Sequence, residues 1–429
     1  MALDISSEVA IRWNDCDGKY VPLLKEGGIT MVLVERREEG FERACGEAGI
    51  KVKPLEEIKF LSLGAMGSGA GGGLVALTNG LWPGVSRRPG EGSDEFTASA
   101  TARPWVDANG YLVGMLRTLY PARPALLGYL PDEKAGVKAD ALLPYETLEL
   151  ALVEARVNGG NYLLALEPRY RERLLGGEGK ALEAWRQMGQ TARWLGRNGE
   201  LFCQGTFPII TALVEADEGL AEIISLLYRH NASPALASAA NPPGPDPMRR
   251  LALVAVGIHA PSAEIGKRLM SHAEAGTALI VDAAGAEAWW RDARLKLVRK
   301  QEDRDFYSLG RGQVVAYHEP ISDPGEFAFD VIDIVTQKRR AARLWNADQV
   351  IARASFSPRG EKVGRAMLLL VNYGSRLQSE VLAGIQGVYK QARLLQPEAE
   401  ALSLVAAKRG THTEVMMPEL GRVGALVVG

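Results

Sequence analysis

The stretch Gly73–Arg88, GLVALTNGLWPGVSRR, decides how the chain is read. Leu74, Val75, Ala76 and Leu77 form an apolar run bounded by glycines on one side and by Asn79-Gly80 on the other. A run this short between turn signals suits a buried strand and is too brief for a helix. It opens into Leu81-Trp82-Pro83-Gly84, a turn that carries a large aromatic ring. In α/β domains ligands collect where parallel strands end and their loops begin. Trp82 is therefore placed either to stack on a sugar ring or to cap the core.

The same unit recurs on both sides of this stretch. Short apolar runs at Ala10–Trp13, Thr30–Val34, Ile50–Val52, Leu74–Leu77, Ala125–Tyr129 and Asn161–Leu166 read as strands. Between them Gly40–Ala48, Ala108–Leu119, Tyr145–Val157 and Ala181–Arg197 carry apolar residues at helical spacing. Strand–helix units in series predict a parallel sheet with right-handed crossovers, here a reduced or atypical TIM-like αβ barrel over residues 1–203. From 204 to 338 the rhythm restarts. Strands at Ile209–Val214, Leu251–Gly257, Ala278–Val281 and Val314–Tyr317 alternate with helices at Leu220–His230, Ser262–Ala275 and Pro324–Lys338, which predicts a flavodoxin-like domain. After about 340 the helical pattern stops. Runs at Val350–Phe356, Met367–Tyr373, Ala392–Leu395, Ala401–Val405, Thr413–Met417 and Gly424–Val428 predict an antiparallel β-sandwich over 339–429.

Composition narrows the function. With 429 residues and 47% hydrophobic content, the chain has the profile of a multidomain globular protein. The formal net charge of −2 gives no sign of a nucleic-acid or membrane partner. No apolar run is long enough for a membrane span, and the N-terminus lacks a signal-peptide pattern. Three scattered cysteines, Cys16, Cys45 and Cys203, fit a reducing compartment, so a cytoplasmic location is expected. An exported form with its signal removed is the alternative. Gly67–Gly72 matches G-x-G-x-x-G but precedes a strand instead of opening a helix, so it lacks the helix N-terminus that holds a pyrophosphate. The five histidines are dispersed, and metal-ligand spacings, nucleophile elbows and Walker sequences are absent. Neither a cofactor nor a metal is expected.

Catalysis would then fall to carboxylates, with aromatic rings and amides for binding. That combination suits glycoside hydrolysis, in which one carboxyl group protonates the leaving oxygen and the other attacks or activates water. Glu35 and Glu167 each follow an apolar strand and are the candidate catalytic pair. Trp13, Asn14, Asp15, Asn79, Trp82, Trp105, Asp107, Asn109 and Asp132 are the candidate substrate-binding residues. Each has a plainer reading. Glu35 heads the charged run Glu35–Glu39, Glu167-Pro168-Arg169 is compatible with a structural ion pair, Asp107 is an ordinary helix cap, and the tryptophans are packing residues elsewhere.

A parallel αβ barrel, then a domain similar to class I glutamine amidotransferases, then a β-sandwich resembles bacterial β-galactosidases that trimerise through the middle domain. The resemblance is one of domain order and covers the whole chain. It implies a glycosidase acting on carbohydrate, and a homo-oligomer formed through the middle domain. It also implies an Asn-Glu pair ending the fourth barrel strand and a nucleophilic Glu ending the seventh. The fourth run counted here ends Thr78-Asn79-Gly80, with glycine at the acid/base position. No cysteine follows Cys203, so the middle domain lacks the thiol on which glutaminase chemistry depends. A non-catalytic carbohydrate-binding or assembly protein that has lost the acid/base is the alternative function.

Overall fold

A computed structural model of the protein describes residues 5–66, 73–80, 82, 109–129, 143–282, 288–335, 339–347, 349–356, 365–374 and 376–429. Its first sheet contains β1 (Ala10–Arg12), β2 (Met31–Val34), β3 (Lys51–Pro54), β4 (Ile58–Leu61), β5 (Leu74–Leu77), β6 (Leu126–Leu127) and β7 (Asn161–Leu164). All pairings are parallel, in the order β3-β2-β1-β7-β6-β5-β4. Taken as a ring, the strands follow one another in chain order, with the single open seam between β3 and β4. A doubly wound sheet would reverse direction at a switch point, and this one does not. The sheet is a curled TIM-like barrel, opened along one side.

The seam has a simple cause. Only Leu55–Glu57, a 3-10 turn, separate β3 from β4. A helical crossover needs a dozen or more residues, so the chain steps directly between the two edge strands. β4 is also the strand that the sequence reading omits. Ile58-Lys59-Phe60-Leu61 interleaves a lysine and follows Glu56-Glu57, which conceals it in a charged run. Among the described strands the one ending at Leu77 is accordingly the fifth, and the fourth ends Leu61-Ser62-Leu63.

Side-chain alternation sorts the residues into two layers. Ala10, Met31, Leu33, Ile58, Ala76, Leu126 and Leu163 fill the lumen. Ile11, Val32, Val34, Val75, Leu77, Leu127, Tyr162 and Leu164 face outward, beneath the helices. Those helices are α1 (Val21–Glu26), α2 (Glu39–Glu47), α3 (Gly110–Leu119), α4 (Thr147–Val157), α5 (Pro168–Leu175) and α6 (Gly179–Arg197). The short α1 and the charge-rich α5, PRYRERLL, are further elements that periodicity does not reveal.

α6 crosses the end of α1 with almost no space between the backbones. Trp185 Nε1 donates to the Leu23 carbonyl at 2.6 Å. A Cβ at Gly189 would run into the Glu26 carbonyl oxygen and the backbone of Gly27. Backbone cannot move aside as a side chain can, so Gly189→Ala is expected to cost about 2 kcal/mol, the usual range for overpacking. A urea midpoint equal to wild type would refute this contact.

The middle sheet contains β8 (Ile210–Val214), β9 (Ala235–Ser238), β10 (Ala252–Val254), β11 (Ala278–Asp282), β12 (Lys296–Lys300), β13 (Arg304–Leu309) and β14 (Gly312–Tyr317). Its order is β12-β13-β14-β11-β10-β8-β9. Numbering only the parallel members gives 2-1-3-4-5, the strand order of flavodoxin. The antiparallel hairpin β12–β13 extends one edge. Around the sheet lie α7 (Glu218–Arg229), α8 (Ala263–Ala275) and α9 (Pro324–Asp330). α9 passes into a π-helical turn at Val331–Val335, and residues 336–338, the end of the expected helix, lie outside the described residues.

The last unit is wholly antiparallel. Its strands are β15 (Ala342–Trp345), β16 (Val350–Phe356), β17 (Ala366–Asn372), β18 (Gln378–Gln386), β19 (Ala392–Leu395), β20 (Leu402–Leu404), β21 (Ala406–Arg409), β22 (His412–Leu420) and β23 (Val423–Val428). They form the sheets β15-β18-β22-β21 and β16-β17-β23-β19-β20. Val350, Ala352, Leu368 and Leu426 from one sheet meet Val381, Ile385, Val415 and Met417 from the other. This is a β-sandwich.

Candidate active site at the barrel mouth

The carboxyl ends of the strands define the mouth. Arg12 shares the lumen face with Ala10, and its guanidinium lies 5.3 Å from the centroid of the Phe60 ring. Burial lowers the Arg12 pKa, and the Glu35 carboxylate at the end of β2 acts in the opposite direction. Gly128 closes the floor. A Cβ there would press on Ala76, Phe60 and Leu163, so the lumen is packed below the level of Arg12. Period-two alternation along Ala10-Ile11-Arg12 could have marked Arg12 as inward-facing. Phe60 was hidden with the rest of β4.

β1 lies between β2 and β7. The mouth residues of these three strands, Arg12, Glu35 and Glu167, are therefore neighbours despite their separation in sequence. Glu35 is exposed. Glu167 is buried, at 4% exposure, and serves as the N-cap of α5. Its two carboxylate oxygens accept the backbone N–H groups of Arg169 and Tyr170, both at 2.9 Å. Asp15 is also engaged, since the Arg171 guanidinium grips both of its oxygens and ties the β1 loop to α5. Asn14 is exposed beside it.

The tryptophan walls need correction. Trp13 is buried on the outer face of β1, edge-on to Tyr20 at 6.2 Å, with Nε1 donating to the Asp15 carbonyl. Trp82 is 1% exposed and belongs to the core between sheet and helices. Neither offers a ring face to a ligand. Alternation explains Trp13, because the residue after an inward Arg12 points outward. Asn79 Oδ1 accepts the Leu63 N–H and so fastens the end of β5 to the end of β4. Asn109 is buried at the start of α3, its N–H donating to Glu154 Oε1, and lies in the helix layer and not in the mouth. Trp105, Asp107 and Asp132 fall outside the described residues.

No family model matches the sequence, and no curated protein matches it. The similarity lies in solved structures. A β-galactosidase from Bacillus circulans sp. alkalophilus superposes with a TM-score of 0.53 at 11% identity, over 91% of this chain and 66% of that one. Gan42B, a GH42 β-galactosidase, gives 0.52 at 9% identity over 98% of both chains. The α-L-fucosidase isoenzyme 2 of Paenibacillus thiaminolyticus gives 0.55 at 9% identity, over 100% of this chain and 98% of that one. The fold resembles that of bacterial β-galactosidases. The chain spans about two thirds of the length of the B. circulans enzyme, and at these identities the likeness is one of fold.

Within that glycoside-hydrolase-like fold, the described mouth contains a cation, an exposed carboxylate and two carboxylates already engaged, Glu167 by the start of a helix and Asp15 by Arg171. The fourth described strand ends Leu61-Ser62-Leu63, without a carboxyl group. Among the described residues no group of three His, Cys, Asp or Glu side chains could hold a metal ion. No helix among them is long and apolar enough to cross a membrane.

Proposed function

We propose that this protein binds a carbohydrate at the barrel mouth and has lost the glycosidase acid/base. The observation that carries this reading is the end of β4, Leu61-Ser62-Leu63, which offers no carboxyl group where the β-galactosidase pattern implies the acid/base, and the state of Glu167 adds to it. A catalytic carboxyl group must present an oxygen to the sugar, and both Glu167 oxygens accept backbone N–H groups at the start of α5. Arg12, Glu35 and Asn14 would make the polar contacts to the ligand, over the floor formed by Phe60 and Gly128.

The hydrolytic reading has its own support. Glu167 follows β7, the seventh described strand, where the β-galactosidase pattern implies the nucleophile, and the exposed Glu35 faces the same loop cluster. In that mechanism the pair would stand about 5–5.5 Å apart for retention or roughly 6.5–9.5 Å apart for inversion.

One experiment separates the two. Purified protein is screened against aryl glycosides and a glycan array, alongside Glu35→Gln and Glu167→Gln. Binding without turnover, weakened about tenfold in Glu35→Gln, is the expected result, as loss of a charge-assisted hydrogen bond predicts. Turnover abolished in both variants would establish the hydrolase instead. Neither binding nor turnover would overturn both. The amidotransferase-like ancestry of the middle domain and oligomerisation through it belong to the same proposal, and a monomer by light scattering at micromolar concentration would refute the latter.

A further inference from the structure

Where the middle sheet meets the sandwich, a cavity of about 220 Å3 opens among Phe207, Ile209, Leu251 and Phe356. Phe207 and Ile209 lead into β8, Leu251 leads into the neighbouring β10, and Phe356 ends β16. The rings of Phe207 and Phe356 stand 4.6 Å apart at 32°. The backbone of this wall is already engaged, since the Phe207 N–H donates to the Ala354 carbonyl and the Leu251 N–H to the Ile209 carbonyl. An apolar cavity of about 150 Å3 stays dry and takes up benzene, so this one has room for a somewhat larger ring. Met248, 91% exposed, forms its lip.

Its polar lining is of two kinds. Arg249 and Arg339 are exposed at the rim, and neither is held in an ion pair among the described residues. Of their acidic neighbours in sequence, Asp246 acts on Arg250, and Asp333 pairs with Arg340. No carboxylate is among the described residues of the wall. Gln386, at the end of β18, is the second kind. Its Oε1 is shielded from solvent and has no hydrogen-bond partner among the described residues. A shielded acceptor without a donor is destabilising, and an N–H or O–H group brought into the cavity would satisfy it.

We propose that this cavity binds a small aromatic carboxylate whose ring bears an N–H or O–H group. The ring lies among Phe207, Ile209, Leu251 and Phe356, where it extends the aromatic pair. The carboxylate meets Arg249 and Arg339, whose planar forks of N–H donors match its paired oxygens. The ring N–H or O–H donates to Gln386 Oε1. The apolar wall and small volume distinguish this site from the sugar site proposed at the mouth, and neither reading depends on the other.

Isothermal titration calorimetry of the full chain with indoleacetic acid, at neutral pH and constant ionic strength, tests the site. Naphthaleneacetic acid keeps the fused ring and the carboxylate but lacks the N–H, and indole keeps the N–H but lacks the carboxylate. The expected result is one saturable site for indoleacetic acid, with naphthaleneacetic acid about tenfold weaker, the size of one lost hydrogen bond. Arg249→Gln and Arg339→Gln, both at exposed positions, should each weaken indoleacetic acid about tenfold and leave indole unchanged. Gln386→Leu should erase the preference for indoleacetic over naphthaleneacetic acid. Octanoate binding as tightly as indoleacetic acid would overturn the aromatic ligand, and a preference that survives Gln386→Leu would overturn the donor. No saturable binding of either ring acid, or unchanged affinity in both folded arginine variants, would overturn the site.

Discussion

Glu154→Gln is expected to stabilise the protein at pH 8 by about 3 kcal/mol and to make stability climb with pH where the wild type varies little. Glu154 lies on the inner face of α4 and is fully buried. Oε1 accepts the N–H groups of Asn109 and Gly110 and the hydroxyl of Tyr373, which reaches in from the sandwich. Among the described residues Oε2 has no hydrogen-bond partner, and neither does the nearby hydroxyl of Tyr129. Burial raises the carboxyl pKa from 4.5 to about 7, against the hydrogen bonds and the Arg229 charge that favour the ionised form.

The sign follows from proton binding. Between about pH 4.5 and 7 the folded state holds the Glu154 proton more tightly than the unfolded chain, so stability falls as pH rises and is lowest above 7. A shift of this size corresponds to about 3 kcal/mol. Glutamine keeps an acceptor oxygen for the three donors, and its amide can donate to the Tyr129 hydroxyl, so the ionisation cost disappears.

His230 works in the opposite direction. Burial first, then Arg340 and Arg229, lower its pKa to about 4. The unfolded chain takes up that proton more readily between about 6.5 and 4, so this group adds stability as pH rises through the same interval. The two effects oppose each other in the wild type. Urea midpoints at pH 5, 6, 7 and 8 should vary little in wild type and climb with pH in Glu154→Gln. A wild-type profile that matches the variant would show that Glu154 is already ionised without penalty.

Arg353→Met is expected to destabilise the protein by about 3 kcal/mol and to loosen the sandwich from the barrel. Arg353 sits in β16, is 5% exposed, and donates to the carbonyls of Val157 and Gln204 and to the hydroxyl of Thr206. It thus joins the sandwich to the end of α4 and to the segment leaving the barrel. Methionine fills the space but leaves those carbonyls without a donor, and each buried unsatisfied acceptor costs about 1–3 kcal/mol. Faster proteolysis near residue 204 should accompany the lower urea midpoint. An unchanged midpoint would mean that water replaces the guanidinium at no cost.

The two junction residues and the mouth show where sequence stops being informative. Leu74–Leu77, Val350–Phe356 and Ala392–Leu395 coincide with their predicted strands, because an apolar run between turn residues has few other ways to be buried. β4 and α5 escaped because interleaved charges erase the local signal. Glu167 was placed after its strand and Trp13 at the end of its own, but their roles were not legible. Whether a carboxylate caps a helix depends on where that helix begins, and whether a ring faces ligand or core depends on strand alternation.

Local pattern by itself therefore determined the succession of a parallel αβ sheet, a second α/β unit and an antiparallel sandwich, since hydrophobic periodicity is a property of adjacent residues. The tertiary structure alone decided that the barrel opens between β3 and β4, that Arg12 joins Glu35, and that Glu154 meets Tyr373 from a strand more than two hundred residues away. Those outcomes depend on how strands pair across the ring and how the sandwich docks, and such distant contacts leave no mark on the local sequence.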